Sequence, residues 1–138
     1  GAAARRRRAR LAEEAARLQR LRDALWLQLQ PIGGVVRHGA TGDDALPNTL
    51  HVRFAGVRGE ALVAALDLAG IAVSAGSACA AGAAEPSHVL LALGLDAETA
   101  RDGVRYSFGE TNGDADVAAV AAATADAVGR IRAVRRVA

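Results

Sequence analysis

The sequence predicts a small α+β domain, a short sheet with helices packed against it, and three observations carry that reading. Long stretches at the two ends of the chain repeat apolar residues at helical spacing, with no glycine or proline from Arg5 to Gln30. Two stretches between them, around residues 49–54 and 104–108, alternate apolar and polar residues with period two. Short helical segments closed by Gly70 and Gly94 separate the strands, a mixture that builds a helix layer on a sheet. Strand order does not follow from pattern alone.

From Arg5 to Gln30 the chain is rich in Ala, Leu, Glu and Arg, strong helix formers, and Leu11, Leu18, Leu21, Leu25 and Leu29 fall on one stripe. Pro31 and Gly33-Gly34 end this helix. Val35-Val36 is a short apolar piece leading to an exposed turn from Gly39 to Asp44. Leu50, Val52 and Phe54 alternate with His51 and Arg53, as a half-buried strand requires. Glu60 to Ala69 places Leu62, Leu66 and Ala69 on one helical face, with Gly70 as its C-terminal cap. Ile71-Ala72-Val73 is a strand candidate, and the following run from Ser74 to Ala84 has nothing large to bury. Pro86 opens a short helix over His88 to Leu93, which Gly94 closes. Val104, Tyr106 and Phe108 alternate with Arg105 and Ser107, putting the latter two on the less apolar face. Thr111 and Asp114 are spaced as a weak capping box for a last helix. Its buried stripe runs through Val117, Val120, Val128, Ile131 and Val134, with Thr124 the one polar member. No internal repeat is visible.

At 138 residues the chain fits one domain, and 51% hydrophobic against 23% charged residues excludes an intrinsically disordered composition. The net charge is only +2, and all 17 basic residues are arginine. Without lysine the chain supplies neither a Schiff base nor a P-loop. A single cysteine, Cys79, excludes an internal disulfide, and three scattered histidines without C-x-x-C argue against structural zinc. The uncharged run from Leu68 to Ala84 is too short and too weakly apolar to span a bilayer, and no signal peptide is apparent, so the chain reads as cytoplasmic, with no membrane partner. Its start at Gly1 reads as a processed product or an excised piece.

Cys79 is the strongest nucleophile candidate. Its surroundings of small residues favour access, although a lone cysteine is as a rule a small buried hydrophobe and no neighbouring cation is evident. Arg105 on a strand offers a bidentate fork to a carboxylate, against the plainer reading of a strand residue paired with an acidic side chain. His38, His51 and His88 show no spacing pattern and read as structural or solvated. The cluster Arg5 to Arg8 with Arg10 attracts phosphate, but with aromatics at 3% there is no stacking platform, and a solvated helix end rather than a nucleic-acid site is expected.

Five segments in order resemble one family. They are Leu46-Pro47-Asn48-Thr49-Leu50, Gly59-Glu60 through Leu66-Asp67, Gly70 through Cys79, Glu85-Pro86-Ser87-His88-Val89-Leu90, and Val104 through Gly109. Together they look like the C-terminal small domain of NifS-like cysteine desulfurases, fold-type-I pyridoxal-phosphate enzymes of the class V aminotransferase group. On this resemblance residues 1–138 are that small domain, and residues 1–30 are the long helix that joins it to a large pyridoxal-phosphate domain absent from this chain.

The resemblance implies that Cys79 attacks the sulfur of L-cysteine and becomes a persulfide while L-alanine leaves, and that Arg105 binds the substrate carboxylate. It implies pyridoxal phosphate in the complete enzyme and none bound to this chain alone. It also implies an iron–sulfur scaffold or another sulfur acceptor as partner, and a homodimer for the complete enzyme. Asn48 and Ser77 match motif positions and are given supporting structural roles at most. Glu110 stands where the family usually has a basic residue, and Ala80-Ala81 where it commonly has Ser or Thr. Two other readings are a stand-alone persulfide carrier and a non-catalytic remnant.

Overall fold

The computed structural model describes residues 2–75 and 88–137. Helix α1 (Ala2–Leu29) runs into a 3-10 turn at Gln30–Ile32, then β1 (Val35–His38), a second 3-10 turn at Gly42–Asp44, and β2 (Thr49–Phe54). There follow α2 (Gly59–Asp67), β3 (Ser74–Ala75), α3 (His88–Ala92), α4 (Ala97–Arg101), β4 (Gly103–Ser107) and α5 (Asp114–Val137). The strands form one four-stranded sheet in the order β1-β2-β4-β3, and every neighbouring pair is antiparallel. The expected α+β architecture is therefore observed.

One face of the sheet makes the core. Leu50, Val52 and Phe54 of β2 and Val104 and Tyr106 of β4 are buried against Leu21, Leu25 and Leu29 of α1, Leu62 and Leu66 of α2, and Val117, Ala121 and Val128 of α5. Each such large side chain contributes about 1.5–3 kcal/mol on removal from water. The one polar residue of the α5 stripe, Thr124, is fully buried, and its hydroxyl lies 3.1 Å from that of Tyr106, tying α5 to β4.

Several expectations shift. Leu11 is 63% exposed and Val134 71% exposed, so both apolar stripes overrun the core; Ala69 lies outside it as well. The 28 residues of α1 reach about 42 Å at the helical rise per residue, whereas a six-residue strand such as β2 reaches about 20 Å. A stripe that long outruns any sheet of this size. The strand expected at Ile71–Val73 forms instead directly after it, at Ser74–Ala75, because those are the positions that pair with β4; Ile71 and Val73 pack against the core. Helix α4 was absent from the sequence reading, yet Asp96 caps it by accepting from the Thr99 amide at 2.9 Å. The cap of α5 also moves, since the Asp116 carboxylate accepts from the Gly113 amide at 2.9 Å, two residues beyond the Thr111–Asp114 pairing. Gly70 does cap α2: at φ +77° it turns the chain so that the Ile71 amide reaches the Leu66 carbonyl at 2.9 Å.

Arginines brace the helical side. Arg22, fully buried, donates to the Leu46 carbonyl at 2.8 Å and to Asp23 at 2.8 Å. Arg17 pairs with Glu14 and donates to the carbonyls of Gly109, Glu110 and Asn112. Arg132 reaches the carbonyls of Ile32, Gly33 and Ala55, and Arg135 that of Gly56. Each planar fork ties a helix to a loop that sequence proximity does not. No helix among the described residues is long and apolar enough to cross a membrane.

Candidate functional site

The second face of the sheet is polar and half-buried. Because residues paired across a sheet share a face, the register sets His38, His51, Arg105 and Ser74 in a single row across all four strands. Arg53 lies one step along β2 on the same face, opposite Val36 and Gly103, and therefore diagonal to both His38 and Arg105. Thr49 and Ser107 form the pair on the far side of the row. None of these positions carries an acidic side chain.

His38 and His51 meet with Nδ1 to Nδ1 at 3.1 Å and rings stacked at 5.2 Å between centroids. One imidazole must donate and the other accept, so at least one bare nitrogen is needed and the pair is held together when both are neutral. Burial pushes the His51 imidazole down to about 4, with the neighbouring His38 and Arg105 adding to the effect. His38 is lowered too, by burial first and then by Arg53. Gly103 gives the His51 ring its space, since a β-carbon there would collide with the imidazole.

Arg105 stands where its strand alternation predicts, on the polar face of β4, half-buried. Among the described residues its guanidinium has no hydrogen-bond or ion-pair partner, and none of the register positions around it is acidic. Arg53 is in the same condition, and its buried Nε has no acceptor. An unsatisfied buried donor costs about 1–3 kcal/mol, more when charged. A fork left free in this way is suited to an incoming carboxylate.

Cys79 and Ser77 lie outside the described residues, as does Pro86. Ser74 is paired with Arg105, and Cys79 follows it five residues later in the sequence. Asn48 is structural, exchanging bonds with Phe108 through its main-chain carbonyl at 2.9 Å and its side-chain amide at 3.4 Å. Sequence reasoning missed His38, His51, Arg53 and Gly103. Period-two placement put His51 and Arg53 on a polar face, but only strand order brings His38 and Gly103 beside them.

Residues 2–120 match the model of the family described as aminotransferase class-V. The chain belongs to that family. It is 46% identical over 123 residues to an IscS-like cysteine desulfurase of Mycobacterium tuberculosis, covering 88% of this chain and 31% of that protein. A cysteine desulfurase of Gluconacetobacter diazotrophicus is 43% identical, over 85% of this chain and 29% of its own length. Among solved structures, a NifS-like protein from Rickettsia africae superposes with a TM-score of 0.68 at 26% identity, over 83% of this chain and 29% of that one. A 3-amino-5-hydroxybenzoic acid synthase gives 0.64 at 25% identity, over 88% of this chain and 36% of that one. The chain thus spans less than a third of the length of the two curated cysteine desulfurases, and the expected resemblance to NifS-like desulfurases is met.

Class-V aminotransferases of the desulfurase kind imply pyridoxal phosphate in the complete enzyme. The residues of this chain do not fit that group by themselves, because no lysine is present anywhere in the 138 residues to anchor it.

Proposed function

We propose that this chain is the sulfur-accepting C-terminal domain of a cysteine desulfurase, in which Cys79 takes sulfur from L-cysteine and Arg105 holds the substrate's carboxylate. The observation that carries the reading is the guanidinium of Arg105, without a partner among the described residues and paired in register with Ser74 at the start of the segment that leads to Cys79. A carboxylate gripped by that fork is fixed in orientation on a strand, which is rigid, while the thiol sits on a short run of Gly, Ala and Ser.

The Cys79 thiolate attacks the substrate sulfur. A sulfur–sulfur bond forms, the substrate's Cβ–S bond breaks with its electron pair left on carbon, and protonation of that carbon gives L-alanine. Cys79 is left as a persulfide, which a thiolate of an acceptor takes by attack on the outer sulfur. Pyridoxal phosphate, held by residues outside this chain, supplies the electron sink of the complete enzyme. An iron–sulfur scaffold is the acceptor this reading favours, and a homodimer its expected assembly.

Mass spectrometry after incubation with a small-molecule persulfide donor tests the thiol. One added sulfur on Cys79, lost to an acceptor thiol and absent in Cys79→Ser, is expected; no transfer, or transfer unaffected by that substitution, overturns the assignment. Pyridoxal phosphate added to the pure chain is expected to keep the absorbance of the free cofactor. In the complete enzyme Arg105→Gln is expected to raise KM for L-cysteine by about tenfold or more, from loss of a charge-assisted bidentate contact.

A further inference from the structure

Four register neighbours surround Arg105 on its face of the sheet: Ser74 and His51, paired with it on β3 and β2, and Gly103 and Ser107, two residues away along β4. Three of the four are serine or glycine, so among them only His51 carries a side chain large enough to bear on the guanidinium. Its ring leans over Gly103, where a β-carbon would overlap Cε1 and come within 2.7 Å of Nε2. From β1 His38 holds it, Nδ1 to Nδ1 at 3.1 Å with the rings stacked. The imidazole therefore fills the floor between Arg105 and Arg53, the residue paired with Gly103. Because burial lowers its pKa to about 4, the ring is uncharged near neutrality and acts on its neighbours by bulk.

We propose that His51 is a positioning residue for Arg105: its ring, seated on Gly103 and held by His38, closes the Arg53 side of the fork and turns the guanidinium toward Ser74, where the segment leading to Cys79 begins. The proposal rests on the desulfurase reading for the carboxylate that Arg105 takes, while the placement of the ring stands apart from it. Sterics and charge point the same way. A guanidinium leaning toward Gly103 meets the imidazole and, behind it, the like charge of Arg53, whereas the small side chains of Ser74 and Ser107 leave the other directions open. An arginine gives up rotamer freedom when it grips a carboxylate, and a wall on one side removes part of that freedom beforehand, which favours binding.

Steady-state kinetics of the complete enzyme test it. His51→Asn, which keeps a polar atom for His38 but no ring over Gly103, is expected to raise KM for L-cysteine about fivefold and leave kcat within about twofold. Gly103→Ala, which displaces the ring, does the same, and His51→Phe, which restores a ring there, keeps KM within about twofold of the parent. On an Arg105→Gln background His51→Asn adds nothing further, because the histidine acts through that arginine. Where Arg105→Gln raises KM, a KM that His51→Asn leaves unchanged, a drop in kcat alone, or an equal further rise in the absence of Arg105 overturns the proposal. In the chain itself the heteronuclear NOE of the Arg105 Nε–H is expected to fall in His51→Asn and Gly103→Ala and to hold in His51→Phe; an arginine equally mobile in all three and in the parent overturns it too. Arg105→Gln without effect on KM removes the substrate assignment, and the positioning then stands or falls on this second arm.

Discussion

Arginine does opposite things on the two sides of this sheet. On the helical side Arg17, Arg22, Arg132 and Arg135 each end on main-chain carbonyls, and two of them on a carboxylate as well, so their charges are consumed in holding the fold. On the polar face Arg53 and Arg105 end on nothing among the described residues. The same side chain is a finished brace in one layer and an unsatisfied donor in the other. The contrast teaches that the helical side is complete in itself, whereas the polar face is energetically unfinished, as a binding surface is.

The sharpest way to break that comparison is to remove a brace. Arg22→Ala empties a fully buried site and strands the Leu46 carbonyl; a loss of about 4 kcal/mol in denaturant unfolding is expected. Acid acts next. His51 is held neutral in the folded protein down to about 4, while the unfolded chain takes up a proton near its ordinary 6.5. Stability is therefore full above the unfolded value and falls as pH drops from there to about 4, by at most about 3 kcal/mol, with His38 acting in the same direction. Urea midpoints measured across that window check it, and His51→Asn is expected to flatten most of the slope. Gly103→Ala displaces the His51 ring and is expected to cost about 2 kcal/mol and break the 3.1 Å histidine contact, visible as loss of the coupled imidazole signals. The smallest change is the most telling: Arg53→Met removes a buried unbonded donor, and thermal stability is expected to hold or rise by about 0.5 kcal/mol. Destabilisation there on the scale of Arg22→Ala erases the distinction between the layers.

The helices and central strands were legible because burial on one side writes a period into the sequence. Leu50, Val52 and Phe54 are buried as their alternation demands, and Val104 and Tyr106 likewise. What periodicity cannot encode is where a stripe stops being useful, and so Leu11 and Val134 were read as core although the helices extend past the sheet. Short elements were read less well. Helix α4 has only five residues, too few for a repeat, and β3 is fixed by its pairing with β4 rather than by its own apolar content. The site divides the same way. Arg105 was found from strand alternation and from the family resemblance, whereas the histidine pair needs β1 beside β2, a fact of topology that no local pattern carries.

The absence of lysine has a consequence for strongly basic solutions. A guanidinium keeps its proton well past the point at which an ammonium releases one, so the ties from α1 and α5 to the loops persist where lysine ties would slip. The weak point there is instead a phenol. Tyr106, buried against Thr124, is pushed up to about 12, while in the unfolded chain it ionises near 10, so alkali loosens this domain through the hydroxyl joining β4 to α5.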